Sequence, residues 1–511
     1  MTETANAASY FVDRHVAEGQ GGKTAFREAA GLRRSMTYAE VSDLSGRAAA
    51  AYQRLGLRRE ERALLLVLDQ LEFLPLFWGG LKAGVVPVPL NTLLATSVYD
   101  TILKDSRAKA LFVSEELWSV IEPVARTAPD LEHIVVISEA APEGTIAYDA
   151  FMDGCSPIAC VETSPDDVAF WLYSSGSTGR PKGVTHVHSS LKATSDTYGA
   201  QVLQITPDDT IFSAAKFFFA YGLGNAMTFP MSVGATTVIF NGRPTPEDMR
   251  EVIAEQQPTI FCGVPTLYAA MVALFEKEGI PKAPIRLCIS AGEALPEEIG
   301  RAWEKLWGVE ILDGVGSTEM LHIFLSNAPG DVVYGTSGTP VPGYDVRLVD
   351  EMGEEVGVGE IGELLVRGAS ASDGYWNQRE KSRATFEGVW TRTGDKYERN
   401  AEERFVYCGR TDDMFKVSGI WVSPFEVEQA LIGHPAVLEA AVVPAMDEEH
   451  LEKPKAFVVL KEQADEDVLR AELKSLVQDK IGKWKYPRWI EFVEDLPKTA
   501  TGKIQRFKLR D

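Results

Sequence analysis

Apolar residues along this 511-residue chain fall into short runs whose spacing keeps changing, and the changes predict the elements. Residues 48–55 are apolar at helical intervals, residues 63–68 form a continuous apolar strand, and residues 72–83 read as an apolar helix. Strand-like runs recur at 110–113 and 133–137. Strand alternating with helix predicts an α/β fold with parallel strands, and Pro87, Pro89 and Asn91 close the first unit. Residues 285–293 read as a strand ending in a small-residue turn, and residues 309–313 as a second strand leading into a turn at Gly314 and Gly316. Residues 335–419 are rich in glycine, with short alternating strands at 346–349 and 363–367, which predicts a β-rich subdomain. A compact α/β pattern then restarts, with a helix at 424–432, strands at 437–444 and 455–461, and a helix marked by Leu469, Leu473, Leu476, Val477 and Ile481. The expected organisation is a large N-terminal domain over 1–409, made of layered α/β subdomains plus the β-rich one, and a small α/β C-terminal domain over 410–511.

One uncharged run, residues 217–242, has the length to span a bilayer, but Asn225, Pro230, four glycines and several hydroxyls make it a poor membrane helix. It reads as buried core that also lines a pocket. The balance of 45% hydrophobic and 24% charged residues is that of a globular chain long enough for a large core and a second unit. A net charge of −23 repels nucleic acid and anionic membranes alike, so neither is an expected partner and an anionic substrate needs a local basic site. Cys155, Cys160, Cys262, Cys288 and Cys408 are scattered without a CxxC pair, which points to reduced thiols in a cytosol and to neither a disulfide framework nor a zinc site. The N-terminus has no basic region followed by an apolar core and is not read as a secretory signal.

Chemistry concentrates in Tyr173-Ser-Ser-Gly-Ser-Thr-Gly-Arg-Pro-Lys-Gly-Val184, straight after the apolar run 168–172. Gly176, Gly179 and Gly183 let the backbone turn tightly, Ser174, Ser175, Ser177 and Thr178 supply hydroxyls, and Arg180 and Lys182 supply charge for phosphate oxygens. Lys182 follows Pro181 rather than Gly, so this is not the nucleoside-triphosphatase loop. His186 and His188, two apart, would share one face of a strand, but no third ligand lies nearby and a metal site is not expected. Ser189 and Lys192 match an SxxK pair without the KTG or SDN that accompany it in acyl-enzymes. Phe217, Phe218, Phe219 and Tyr221 break into glycines and offer flat walls for a planar apolar ligand, or simply core packing. The strand ends at Ala291, Gly292 and Glu293, and at Asp313 and Gly314, suit a nucleotide at the carboxyl edge of a sheet. Glu319 stands where the dinucleotide fingerprint needs its third glycine, and no helix-forming partner unit follows, which leaves that reading weak.

The run YSSGSTGRPKGV resembles the signature of the adenylate-forming superfamily, which holds acyl- and aryl-CoA synthetases, luciferases and peptide-synthetase adenylation domains, and further matches extend over nearly the whole chain. The wording of 215–225 resembles its benzoate-CoA ligase branch. The resemblance implies that Lys182 and the glycine loop handle the ATP phosphates, that Thr318 contacts the α-phosphate and that Glu319 coordinates Mg²⁺. It places Ala291, Gly292, Glu293, Asp313 and Gly314 around the adenine, Asp395 on the ribose hydroxyls and Arg410 on ribose or phosphate. Val315 departs from the pattern, since many members carry an aromatic residue there. Phe219, Ala220, Tyr221 and Gly292, opposite His322 and Ile323, become the walls for an aromatic carboxylate. Asp412 matches the hinge of a mobile C-terminal domain, Gly419 the entry to a coenzyme A tunnel, and Lys503 the catalytic lysine. The implied reaction is acid-thiol ligation with ATP, Mg²⁺ and coenzyme A, with no fused carrier domain expected after Lys503. A hydroxybenzoate or fatty acyl substrate, a stand-alone adenylating enzyme, an inactive ATP-binding sensor and a homodimeric state stay open at this point.

Overall fold

The computed structural model describes residues 5–175, 180–411, 413–417, 420–448, 451–462, 464–482, 484–498 and 504–510. The first apolar runs build a five-stranded, all-parallel sheet in the order Val86–Pro89, Arg62–Leu66, Ala110–Ser114, His133–Ile137 and Ile146–Ala147. Helices Phe73–Ala83, Thr96–Ser106 and Glu115–Ala125 make its crossovers. The helix expected at 48–55 starts earlier, as Tyr38–Arg54, because Thr37 caps it reciprocally with Glu40, a signal independent of apolar spacing.

A second sheet of nine strands runs Thr339–Pro340, Ile323–Ser326, Ile311–Gly316, Leu287–Ser290, Ile260–Gly263, Thr210–Ser213, Thr236–Ile239, Thr24–Glu28 and Ser35–Thr37. Its centre is parallel and its two ends are antiparallel. Gly314 and Gly316, expected in a turn, lie within the strand Ile311–Gly316 and pair with Ser326 and Ile323. Their small size serves close packing there, and the chain reverses only after Gly316. The uncharged run 217–242 forms three short helices, Ala220–Leu223, Gly224–Thr228 and Phe229–Val233, then the strand Thr236–Ile239, with Met227 and Phe229 fully buried.

An antiparallel hairpin, Val168–Ser175 with Pro181–Val187, carries the glycine loop. The β-rich region is an antiparallel sheet of Asp345–Val349, Ile361–Arg367, Trp390–Arg399, Phe386–Glu387 and Phe405–Arg410. Arg410 closes the last of these strands. In the C-terminal part, helices Pro424–Ile432 and Glu466–Ile481 cover the sheet Val437–Met446, Glu452–Leu460 and Trp489–Phe492 around a core that includes Val427, Leu431, Val458 and Leu473. Ser423 accepts from the Glu426 N–H and Pro424 opens the helix, the start signals legible in the sequence. Among the described residues no helix is long and apolar enough to cross a membrane.

The two helices that cover one face of the first sheet cross where Gly79 meets Ala48. A Cβ on Gly79 would stand 2.6 Å from Ala48 Cβ and 2.9 Å from the Ser45 carbonyl oxygen. Gly79→Val is therefore expected to overpack this crossing and cost about 1–3 kcal/mol of stability. A lowered urea midpoint checks it, and an unchanged midpoint would show that the helices part without penalty.

Candidate active site

Two elements distant in sequence meet at the glycine-rich hairpin. Ser174 pairs with Lys182 across it, so Lys182 leaves the second strand beside the base of the loop. The Lys182 ammonium stands 3.2 Å from Glu319 Oε1 and lies over the Tyr375 ring at 4.5 Å. The Tyr375 hydroxyl donates to the same Glu319 oxygen at 2.8 Å, and Lys182 Nζ donates to that hydroxyl at 3.3 Å. Burial would push the Glu319 carboxyl up, but the Lys182 charge and the Tyr375 hydroxyl outweigh it and hold the group below the usual carboxylate range. Glu319 is thus an ionised carboxylate already facing a cation.

Glu319 belongs to the turn that follows the strand Ile311–Gly316. Ser317 Oγ accepts from the Met320 N–H, and the Thr318 carbonyl accepts from the Leu321 N–H. The Glu319 carbonyl accepts from the Ser372 N–H, which anchors the turn to residues 370–376. Beyond Leu321 the chain enters the strand Ile323–Ser326, with His322 2% exposed and Ile323 1% exposed. His322 lies among aromatic rings, with centroids 4.5 Å from Phe229, 5.2 Å from Tyr198 and 5.8 Å from Tyr221. Its Nε2–H donates to the Tyr221 carbonyl at 3.3 Å, and burial pulls its pKa down to about 3, so the ring is neutral. Gly224 leaves the room this ring occupies, since a Cβ there would collide with it.

The structure brings Tyr221, His322 and Ile323 together as expected, with Ala220 one residue away at the start of a helix turn. Phe219 packs on Phe218 at 4.5 Å and is joined to the others, among the described ring contacts, only through the chain. The Tyr221 hydroxyl reaches the Gly263 and Ile289 carbonyls at 3.0 Å each and is spoken for by the sheet.

On the other side of the turn, Asp313 pairs in register with Ser290, next to the bend of Ala291, Gly292 and Glu293, where Gly292 takes φ +98°. Burial pushes the Asp313 carboxyl up to about 8, and the Leu295 N–H and Ser290 hydroxyl offset this only in part. Asp395, on the strand Trp390–Arg399, accepts from Arg410 at 2.9 Å across neighbouring strands. Gly176, Ser177, Thr178, Gly179, Asp412, Gly419 and Lys503 lie outside the described residues, and Ser175 is described only as the end of its strand.

The two histidines of the hairpin do not share a strand face. His186 Nε2–H donates to the Thr318 carbonyl at 2.8 Å, whereas His188 opens a helix and its Nδ1 accepts from the Ala7 N–H at 3.1 Å. No group of three metal-ligating side chains occurs among the described residues. Sequence reasoning missed Tyr375, Tyr198 and the part played by His186. Tyr375 reaches the site because its backbone bridges Val184 and the Trp376 N–H donates to the Gly183 carbonyl, a long-range pairing without local signature.

The raised pKa of Asp313 has a testable sign. The folded chain holds this proton more tightly than the unfolded chain, whose carboxyl titrates near 3.8, so native stability falls as pH rises between about 4 and 8. Asp313→Asn removes that dependence. The variant is expected to gain in urea midpoint relative to the parent between pH 5 and pH 8, and parallel midpoints at the two pH values would refute the protonated carboxyl.

Comparison with known proteins shows the family. The AMP-binding enzyme family matches residues 13–376, and the AMP-binding enzyme C-terminal domain matches residues 426–503. A benzoate–CoA ligase of Thauera aromatica is 53% identical over 100% of this chain and 96% of its own length. A 4-hydroxybenzoate–CoA/benzoate–CoA ligase of Rhodopseudomonas palustris is 51% identical over 99% of this chain and 94% of its own. The crystal structure of a benzoate CoA ligase from Burkholderia xenovorans LB400 superposes with a TM-score of 0.91 at 47% identity, covering 99% of this chain and all of that one. With matches along almost its whole length, the chain belongs to the AMP-binding enzyme family.

Proposed function

We propose that this chain is an ATP-dependent, AMP-forming benzoate-CoA ligase. The observation that carries the reading is the turn 317–322, which sets Glu319 against Lys182 on one side and His322 among aromatic rings on the other. A carboxylate is a poor acceptor for nucleophiles, and adenylation replaces its oxide with a good leaving group. One benzoate oxygen attacks the α-phosphorus of ATP and the bond to pyrophosphate breaks. The coenzyme A thiol, giving up its proton, then attacks the carbonyl of benzoyl-AMP, and AMP leaves.

Each residue takes a part suited to its place. Lys182 swings from Glu319 to phosphate oxygens, a change its flexible stem allows. Glu319, ionised and presenting hard oxygens, fits Mg²⁺, which binds through one or two carboxylates plus substrate phosphates and when bound offsets charge on them. Thr318 and Lys503 stabilise the α-phosphate during attack. Ala291, Gly292, Glu293, Asp313 and Gly314 hold the adenine, and Asp395 takes the ribose hydroxyls with Arg410 beside it. Residues after Arg410, which is held in the β-rich sheet beside Asp395 and so falls one position outside the expected boundary, form the smaller domain that turns about Asp412, exchanging Lys503 for Gly419 at the site between half-reactions.

The pocket also bears on 4-hydroxybenzoate. The Tyr221 hydroxyl is occupied by two carbonyls, and a carbonyl partner fixes the His322 proton on Nε2, so His322 Nδ1 is a buried acceptor without a partner among the described residues. A para-hydroxyl has that acceptor to donate to, whereas benzoate leaves it unfilled, and the discrimination is limited to roughly 1–3 kcal/mol.

Pyrophosphate release with ATP, Mg²⁺ and coenzyme A tests the reading. kcat/KM is expected to be highest for benzoate, moderately lower for fluorobenzoates and for 4-hydroxybenzoate, whose hydroxyl has the His322 Nδ1 acceptor to donate to, and low for octanoate. A preference for octanoate would overturn the aromatic pocket, and a preference for 4-hydroxybenzoate would make His322 a hydrogen-bonding determinant. Lys503→Ala is expected to cost adenylation about 3–4 kcal/mol, judged from the loss of a single transition-state donor elsewhere. Thioester formation from supplied benzoyl-adenylate should largely survive, and equal loss of both steps would refute the assigned role.

A further inference from the structure

The turn that joins the two halves of the site is not a relaxed one. Leu321 sits at φ +65° and is 2% exposed, a bulky side chain in the left-handed region that persists only where its surroundings dictate it. Much of what holds the turn is local or comes from residues 370–372: Ser317 Oγ to the Met320 N–H, the Thr318 carbonyl to the Leu321 N–H, the Ser372 N–H to the Glu319 carbonyl, and Ser370 Oγ–H to the Met320 carbonyl. His186 adds a constraint from a different element. Its Nε2–H donates to the Thr318 carbonyl at 2.8 Å, with the ring fully buried and stacked on Phe170 at 5.3 Å and 20°.

The origin of that hydrogen bond gives it consequence. Lys182 and His186 lie four residues apart on the strand Pro181–Val187, an even spacing that puts both on one face. From that face the ammonium meets the Glu319 carboxylate and the imidazole meets the carbonyl of the residue before it. One strand therefore grips two consecutive residues, one by side chain and one by backbone. The ammonium must be released when phosphate binds, while the imidazole bond involves no atom that a substrate uses. A carbonyl accepts only, so the proton resides on Nε2.

We propose that His186 is a positioning residue for adenylation: its bond to the Thr318 carbonyl fixes the strained turn, so that Glu319 stays aimed at the phosphate side after Lys182 has left it. The inference rests on the reading of this site as an adenylating one. It assigns His186 no contact with substrate and no proton transfer.

Two substitutions separate the donor from the ring. His186→Phe keeps an aromatic ring against Phe170 and loses the N–H, while His186→Gln loses the ring and keeps an N–H able to reach the carbonyl. The expected result is that His186→Phe lowers kcat for pyrophosphate release by about tenfold or more, with thioester formation from supplied benzoyl-adenylate within roughly threefold of the parent. His186→Gln recovers most of the lost rate, and the thermal midpoint of the Phe variant stays close to the parent's. ¹⁵N NMR of the parent's imidazole is expected to show the proton on Nε2, a readout independent of turnover. A Phe variant as active as the parent, equal loss in both half-reactions together with a lowered midpoint, or a proton on Nδ1 would each overturn the proposal. A parent that releases no pyrophosphate with any aromatic acid would instead overturn the functional reading beneath it.

Discussion

The ion pair between Lys182 and Glu319 is the contact on which the arrangement turns. Its side chains are 12% and 15% exposed, so both charges have given up most of their water, and each is tolerable there because of the other and of Tyr375. The pair joins three segments that share no local sequence: the glycine-rich hairpin, the turn after Ile311–Gly316, and the loop at 374–376. A pair of this kind is weak evidence for stability, since desolvation cancels much of the attraction. Under the proposed function, its value lies in holding two charged groups already stripped of most of their water where a polyphosphate and its cation would be received.

Much of this plan was legible in the sequence because it is written locally. The helix Pro424–Ile432 has its cap and its proline in adjacent residues, and the parallel strands announce themselves as uninterrupted apolar runs. The glycine loop stood out by composition, whereas Thr318 and Glu319 were singled out only by the family resemblance. What escaped is what distant pairing decides. Gly314 and Gly316 look like a turn, but a partner strand at Ile323–Ser326 extends them into a sheet, and the real reversal falls on Leu321, a residue that no propensity would put at positive φ.

The same logic separates the histidines. His186, His188 and His322 are all buried, and all three have pKa values pulled below the ordinary one by desolvation. Their surroundings differ completely: the backbone carbonyl of Thr318, the backbone N–H of Ala7, and a cage of aromatic rings. The residue type signalled that something polar was buried, and only the fold could tell which partner each ring had. Tyr375 marks the limit of sequence reading, since its hydroxyl meets Lys182 across 193 positions of chain.

The order in which the nine-stranded sheet is assembled has a consequence for how the chain comes into being. Thr24–Glu28 lies between Ser35–Thr37 and Thr236–Ile239, with Phe26 in register with Thr237. At synthesis rates of about 5–20 residues per second, the first strand emerges roughly ten seconds or more before its parallel partner exists. The all-parallel five-stranded sheet draws every strand from residues 62–147 and can close in the meantime. Until Thr236–Ile239 arrives, the apolar face of Thr24–Glu28, including the fully buried Phe26, has no place in its final sheet. The strand Thr24–Glu28 therefore waits for a parallel partner made far later, and its apolar face is in need of shelter for that interval of folding.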